Sequence, residues 1–244
     1  MTAVSPADVR QWRKLAQQRV RSSLNGVANA RVQWQMAHGE GRAAAKEIAN
    51  THLSIRYLKS SDLGDLSDLP HLLSCATRKL QAQQSNGLAL LAGAHKMLVD
   101  ATSSMQAALA EGFEMESSLT WNHECNAGSA NSSTAINNDK AAGEKVYRVP
   151  LFSCLSLASI ESLAAEILNM YHAELKVKRQ IVLDMEELVN AKGDTLVDPT
   201  GSPIDIQQRM EVCVTTWMIE PQINTSRLDE IMLLLEDDMK DACY

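Results

Sequence analysis

Apolar residues at three- and four-residue spacing run through the first 35 positions, and this spacing limits the fold more than any other feature of the sequence. Ser5 can cap a helix, and Pro6 suits its first position. The spacing predicts one long helix that ends at Gly39 and Gly41, followed by a shorter helix over 44–58. The apolar row consists of Val9, Trp12, Ala16, Val20, Leu24, Val27 and Trp34.

The middle of the chain contains a second long helical pattern between two segments that are rich in helix-breaking residues. The residues SSDLGDLSDLP (60–70) predict a loop, and Leu spacing over 69–120 predicts a helix of about 75 Å at 1.5 Å per residue. Residues 122–148 are rich in Asn, Ser, Ala and Gly, which predicts a flexible linker. A helix of this length needs a hairpin or a partner helix to cover its apolar side.

The C-terminal part repeats the helical pattern. One helix is predicted up to Lys192, with Gly193 as its left-handed cap, and another starts at the Ser202-Pro203-Ile204-Asp205 signal and stops before Pro221. A last helix starts near Thr225, and we find no strand-like alternation. The predicted class is all-α: elongated helical hairpins or a coiled coil over 1–121, the linker over 122–148, and a C-terminal helical region over 149–244.

Charge is distributed unevenly along the chain. The net charge is −7, but residues 1–60 carry 10 Lys and Arg against 3 Asp and Glu, whereas residues 181–244 carry 4 against 14. A basic N-terminal segment can bind nucleic acid. It can equally face acidic protein, including this chain's own C-terminal end. Aromatic residues make up only 4% of the chain, which disfavours a β-sandwich or barrel.

The five cysteines are scattered, odd in number and without a CxxC motif, which indicates free thiols in a reducing compartment. We find no signal peptide and no apolar run of membrane-spanning length. These features predict a cytoplasmic or nuclear protein.

The stretch MYHAELKVKR, residues 170–179, places charge inside an apolar stripe. With 100° per residue, Glu174 and Lys178 fall among the apolar positions, Lys176 falls on the opposite face and Arg179 at the border. A buried charge needs a partner. Three alternatives remain open: an internal pair that fixes helix register, a recognition pair for another chain, or a site for chemistry or nucleic acid.

Motifs for catalysis are missing from the sequence. There is no phosphate-binding loop, no nucleophile elbow and no HExxH or ExxH pair, and Gly39-Glu40-Gly41 has no strand before it. The six histidines are dispersed, and His123 and Cys125 have no second pair of ligands nearby. The sequence therefore predicts a protein that is not an enzyme and has no cofactor or metal.

Two C-terminal stretches resemble the CINP family of cyclin-dependent-kinase-interacting proteins. That family carries PLF followed by MY-x-x-EL-x-x-KR on a helix, then W-x-x-x-P, SRL and a Leu-rich stretch ending in LLE. Here Pro150–Phe152 supplies PLF. Met170, Tyr171, Glu174, Leu175, Lys178 and Arg179 match the first helical motif, and Trp217, Pro221, Ser226, Arg227, Leu228 and Leu234-Leu235-Glu236 match the second.

The resemblance implies a non-enzymatic nuclear adaptor for DNA replication and checkpoint signalling and for large-ribosomal-subunit maturation. It implies pairing with a helical, AIRIM-like protein, membership of a complex built on an AAA-type ATPase, and contacts with a cyclin-dependent kinase and with replication or checkpoint proteins. The residues expected to contact partners are Met170, Tyr171, Glu174, Leu175, Lys178, Arg179, Trp217, Pro221, Arg227 and Leu228.

Two other functions fit the sequence without the resemblance. One is nucleic-acid binding through the basic N-terminal helix, with Arg10, Arg13, Lys14, Arg19 and Arg21. The other is a self-associating coiled-coil structural protein.

Overall fold

The computed structural model describes residues 6–60, 70–113, 150–191, 195–197 and 203–241. Those residues form five helices and one short antiparallel strand pair, so the predicted all-α class is confirmed. The helices are α1 (Pro6–Ser60), α2 (Pro70–Phe113), α3 (Leu157–Asn190), α4 (Ile206–Ile219) and α5 (Thr225–Asp241). The strands are β1 (Thr195–Val197) and β2 (Pro203–Asp205).

Each helix buries a row of residues at alternating three- and four-residue steps, which is the spacing of a heptad repeat. This row forms because such positions lie on one side of a helix. The coiled coil that the spacing predicts remains a prediction. In α3 the row consists of Leu157, Ile160, Ala164, Ile167, Tyr171, Glu174, Lys178, Ile181, Met185 and Leu188.

Helix α1 corrects the prediction that Gly39 and Gly41 end the first helix, because it continues from Pro6 to Ser60 without a break. Gly41 is buried, and a Cβ atom added there would clash with the indole of Trp217. Gly41 is therefore needed for packing against a distant segment. Glycine lowers helix propensity by only about 1 kcal/mol, and tertiary contacts override that cost.

The predicted helix start at Ser202 is also wrong. Residues 203–205 pair with 195–197 as strands, and the helix begins at Ile206 with Asp205 as its N-cap. The carboxylate of Asp205 accepts a hydrogen bond from the Gln207 N–H at 3.1 Å, so it satisfies one free donor of the first turn. The expectation of no strands therefore missed this short pair.

Several predicted boundaries shift or lie outside the described residues. The second long helix runs over 70–113 instead of 69–120, and α3 ends at Asn190, two residues before the predicted end. The Ser5 cap, the loop interior over 61–69, the linker over 122–148 and the Gly193 cap lie outside the described part of the chain.

The chain divides into two compact units. Unit 1 comprises Met1–Arg31, Thr102–Met170 and Asn224–Tyr244, and unit 2 comprises Val32–Ala101 and Tyr171–Ile223. Segments from both the predicted N-terminal and C-terminal regions therefore contribute to each unit.

Within unit 1, α1 and α2 run antiparallel at close distance. A Cβ on Gly26 would lie 2.7 Å from that of Ala108, and one on Gly112 would lie 2.5 Å from that of Ser23. Within unit 2, a Cβ on Gly87 would lie 2.8 Å from Cγ1 of Ile48. Glycines thus mark places where two helix backbones approach closely.

Basic residues of α1 face the acidic α5 inside unit 1. Arg21 donates a hydrogen bond to the Met239 carbonyl at 3.3 Å, and Arg31 lies 3.9 Å from the Asp229 carboxylate. These contacts follow the alternative in which the basic segment meets this chain's own acidic end. None of the helices in the described ranges combines the length and the hydropathy that a membrane span requires.

Candidate functional site

The charges of the α3 stripe lie in the interior of unit 2. The side chains of Glu174 and Lys178 are both 0% exposed, and Lys178 Nζ lies 3.1 Å from Glu174 Oε1. They occupy consecutive positions of the buried heptad row. Of the three alternatives, the structure shows the internal pair. We use the name buried ion cluster for Glu174, Lys178, His38, Glu220 and the carbonyl of Trp217.

Lys178 caps the C-terminal end of α4. Its ammonium donates a hydrogen bond to the carbonyl oxygen of Trp217, which belongs to the last turn of that helix. Nζ also lies 4.8 Å from the centroid of the Trp217 ring, within the range of a cation–π contact. A cation is favourable there because the last carbonyls of a helix lack partners and carry partial negative charge.

Glu174 connects α3 to the turn that follows α4. Its Oε2 accepts a hydrogen bond from the backbone N–H of Gln222 at 2.9 Å. The same carboxylate therefore neutralises Lys178 and fixes the backbone beyond Glu220. Glu220 takes a left-handed conformation with φ of 46°, which is uncommon for a residue other than glycine.

Helix α1 completes the cluster from the other side. Trp34 Nε1 donates to Glu220 Oε1 at 2.8 Å, and His38 Nδ1 lies 3.3 Å from Glu220 Oε2. His38 Nε2 lies 2.9 Å from the Trp217 carbonyl oxygen, and Trp217 Nε1 donates to the His38 carbonyl at 3.1 Å. Both ring nitrogens of His38 face acceptors, so an imidazolium would satisfy both contacts.

Burial and charge act in opposite directions on this cluster. Removal from water lowers the pKa of Lys178 below its ordinary value, although the charges of Glu174 and Glu220 oppose the shift. Burial alone would raise the pKa of Glu220, but hydrogen bonds from His38 and Trp34 and nearby positive charge leave it below its ordinary value. The cluster therefore favours the ionised form of Glu220, while burial disfavours the charged form of Lys178.

The PLF stretch of the resemblance, Pro150–Phe152, lies in unit 1. Leu151 and Phe152 are buried, and Arg13 donates to the carbonyl oxygens of both, at 2.8 and 2.6 Å. Gln17 donates to the Leu151 carbonyl at 2.7 Å. We call residues 150–156 the PLF anchor.

The C-terminal helix holds the other side of the PLF anchor. The buried carboxylate of Asp238 accepts hydrogen bonds from the backbone N–H groups of Cys154 at 2.6 Å and Leu155 at 3.2 Å. The guanidinium of Arg21 lies 5.3 Å from the centroid of the Phe152 ring. Arg13 and Arg21, two residues of the proposed basic nucleic-acid site, are thus engaged inside unit 1.

The remaining motif residues also contact their own unit. The ring of Tyr171 meets that of Trp34 edge-on at 5.0 Å in unit 2, and Leu228 is buried in unit 1. Arg227 makes a bidentate ion pair with Glu166, in which Nε donates to Oε1 at 2.8 Å and Nη2 donates to Oε2 at 3.0 Å. This pairing lowers the pKa of Glu166, because the hydrogen bonds from Arg227 favour the ionised carboxylate.

The motif residues differ in how accessible they are to a partner. Arg179 and Pro221 are exposed, and Met170 and Leu175 are half-buried, whereas Tyr171, Glu174, Lys178, Trp217 and Leu228 are buried. A role of any of these ten residues in partner binding remains a prediction. For the five buried ones, the structure supplies a role in packing.

Sequence reasoning missed half of the buried ion cluster. His38 and Glu220 were not predicted, because the expected helix end at Gly39 removed His38 from any buried face. A usable signal was present: Trp34, His38 and Gly41 continue the same three- and four-residue steps as the residues before them. The partners themselves are 179 to 186 residues apart in sequence, which no local pattern reveals.

No arrangement for catalysis stands out in the parts of the chain that the structure describes. No three His, Cys, Asp or Glu side chains come together there as a metal site. A shallow cleft of about 410 Å³ in unit 2 is lined mostly by polar side chains, of which Arg56 donates to Asp205 at 3.4 Å and to Gln207 at 3.2 Å.

Comparison with known proteins assigns no family: no protein-family model matches the chain, and no curated protein is significantly similar to it.

Proposed function

We propose that this protein is a non-enzymatic adaptor subunit that pairs with another helical protein and joins a complex built on an AAA-type ATPase. It acts in the nucleus, in DNA replication and checkpoint signalling and in large-ribosomal-subunit maturation. The ATPase supplies the energy, and this chain positions the substrate. The sequence motifs that resemble the CINP family support this choice of complex.

The observation that supports an adaptor role is a patch of exposed apolar side chains on α4. Val212 is 57% exposed and Ile219 is 64% exposed, and their seven-residue separation places them on the same side of the helix. Met218 nearby is 41% exposed, and residues 212–219 include no charged side chain. Such a patch on a protein surface is typical of an interface, because interface centres are depleted of charge.

The buried ion cluster holds in place the helix end next to this apolar patch. It fixes the last turn of α4 through the Trp217 carbonyl and the following turn through Gln222. The exposed apolar side chains therefore project from a helix whose C-terminal end is fixed. A rigid binding surface loses less conformational entropy when a partner binds.

The test is co-purification of the full chain with an AAA-type ATPase and a helical partner from nuclear extract. We expect Val212→Glu with Ile219→Glu to lose the ATPase-containing complex. The matched control is Gln33→Glu with Gln35→Glu, which adds two charges at exposed positions of α1. Absence of an ATPase from the wild-type complex would overturn the proposal, and so would full assembly by the α4 variant.

A further inference from the structure

Helix α2 carries a second row at three- and four-residue spacing, each member one residue before a member of its buried row and so about 100° around the helix from it. We call it the α2 outer row, and all its members are exposed and belong to unit 2. Leu90 is 58% exposed and Met97 is 39% exposed. A Cβ placed on Gly93, between them, would meet no atom within 4 Å. The row consists of Gln83, Asn86, Leu90, Gly93 and Met97.

Basic residues outnumber acidic ones around the α2 outer row, although the exposed Asp100 follows Met97 by three residues and continues the row. The stretch from His71 to Val99 contains no Asp or Glu, although the whole chain has a net charge of −7. Its basic residues Arg78, Lys79 and Lys96 are all exposed. A basic surface on an acidic protein favours an acidic partner, because complementary charge speeds association and excludes wrong partners.

We infer that the α2 outer row binds an α-helix of a partner protein whose own apolar row is flanked by carboxylates. The inference rests on the proposed function, since it names the chemistry of the helical partner. The three- and four-residue spacing matches the row that a second helix presents, and Gly93 lets the two backbones approach closely. Leu90 and Met97 form an apolar centre, which favours a protein helix over the phosphate backbone of a nucleic acid.

The first experiment places the photo-reactive amino acid p-benzoylphenylalanine at position 93 of the full chain in cells. We expect cross-links to one helical segment of another protein that has apolar residues at this spacing and Asp or Glu on both sides. Cross-links to a second copy of this chain, to nucleic acid or to a basic segment would overturn the inference. Absence of any cross-link would do so as well.

The second experiment measures binding of that segment, made as a synthetic peptide, to the full chain by fluorescence anisotropy. Leu90→Glu with Met97→Glu should weaken binding about tenfold or more, because it places charge in the centre of the interface. The matched control, Met36→Glu with Leu183→Glu, changes two exposed apolar residues outside the row and should leave binding unchanged. Equal binding by both variants would overturn the inference.

Charge is tested separately. Lys79→Glu with Lys96→Glu should weaken binding more at low salt than at high salt, while Lys79→Arg with Lys96→Arg should retain it. A peptide whose carboxylates are replaced by amides should bind the wild type as weakly as the unmodified peptide binds the Lys79→Glu with Lys96→Glu variant. If binding does not depend on salt for any of these combinations of protein and peptide, the partner is not acidic.

The two proposals fail in different ways. If the outer-row variants keep the partner helix while the α4 variant loses the ATPase, this inference fails and the proposed function stands. If the wild type captures an acidic helix but no ATPase is found in the complex, the proposed function fails and the surface assignment stands.

Discussion

Units 1 and 2 both bury charged side chains, but they use them differently. In unit 1, Arg13 and Asp238 hold the backbone of a short loop from two sides. In unit 2, Glu174 and Lys178 neutralise each other between packed helices and have no exposed surface. A charge that loses its partner in the loop can regain water when the loop detaches, whereas one in the interior of unit 2 cannot. Substitution of a buried charged residue should therefore destabilise unit 1 locally and unit 2 as a whole.

The largest effect is expected from Lys178→Met in unit 2. This change leaves the Glu174 carboxylate buried without its cation, which costs about 3–5 kcal/mol. The double variant Glu174→Gln with Lys178→Met should recover most of that loss, because the glutamine oxygen can still accept the Gln222 N–H. Urea unfolding followed by tryptophan fluorescence measures both. If the two variants are equally unstable, the charge pair is not the cause.

Gly41→Ala should have the next largest effect. The added methyl group would force the Trp217 indole out of place, and overpacking of this kind costs about 1–3 kcal/mol. Gly39→Ala is the matched control two residues away, because a Cβ there meets nothing within 4 Å. It should stabilise the helix by up to about 1 kcal/mol. Thermal melts with opposite signs for the two variants would confirm the packing role of Gly41.

In unit 1, Asp238→Ala should release the PLF anchor. The amides of Cys154 and Leu155 would lose their acceptor, at a cost of about 1–3 kcal/mol if they stay buried and less if the loop opens to water. Hydrogen exchange should therefore speed up in residues 151–155 with little change in unit 2. Equal acceleration in both units would contradict the contrast between them.

The smallest effect is expected from acid. The pKa of Glu220 is lower in the folded protein than its ordinary value of 4.5, so the unfolded state takes up the proton first. Its contribution to stability is present above pH 4.5 and is lost as the pH falls through the lowered pKa. Relative to the wild type, Glu220→Gln should flatten the profile of unfolding free energy against pH below pH 4.5, as measured by urea unfolding at each pH.

The sequence predicts what repeats locally and misses what depends on distant partners. Apolar spacing identifies the long helical segments, although it divides α1 into two helices, and it places Glu174 and Lys178 inside a buried stripe, because a helix repeats every 3.6 residues. Ile160, Ile167, Tyr171 and Met185 are buried as predicted, whereas Val182 and Val189 are only half-buried.

Gly41 shows where such reasoning stops. Read alone, a glycine in a helical pattern indicates an end, and only the indole of Trp217 explains why the helix continues. Asp205 is a similar case, since strand pairing of residues 203–205 with 195–197 moves the helix start from the Ser202 signal to Ile206. Both depend on contacts that local propensity does not encode.

The burial of Lys178 provides a chemical reporter inside the protein. Lys176, two residues earlier on the same helix, is exposed, while the amine of Lys178 is enclosed. An acylating reagent added to the native protein should label the first lysine quickly and the second only when unit 2 opens. The ratio of the two adducts in one peptide would then report the opening rate, with its own internal standard.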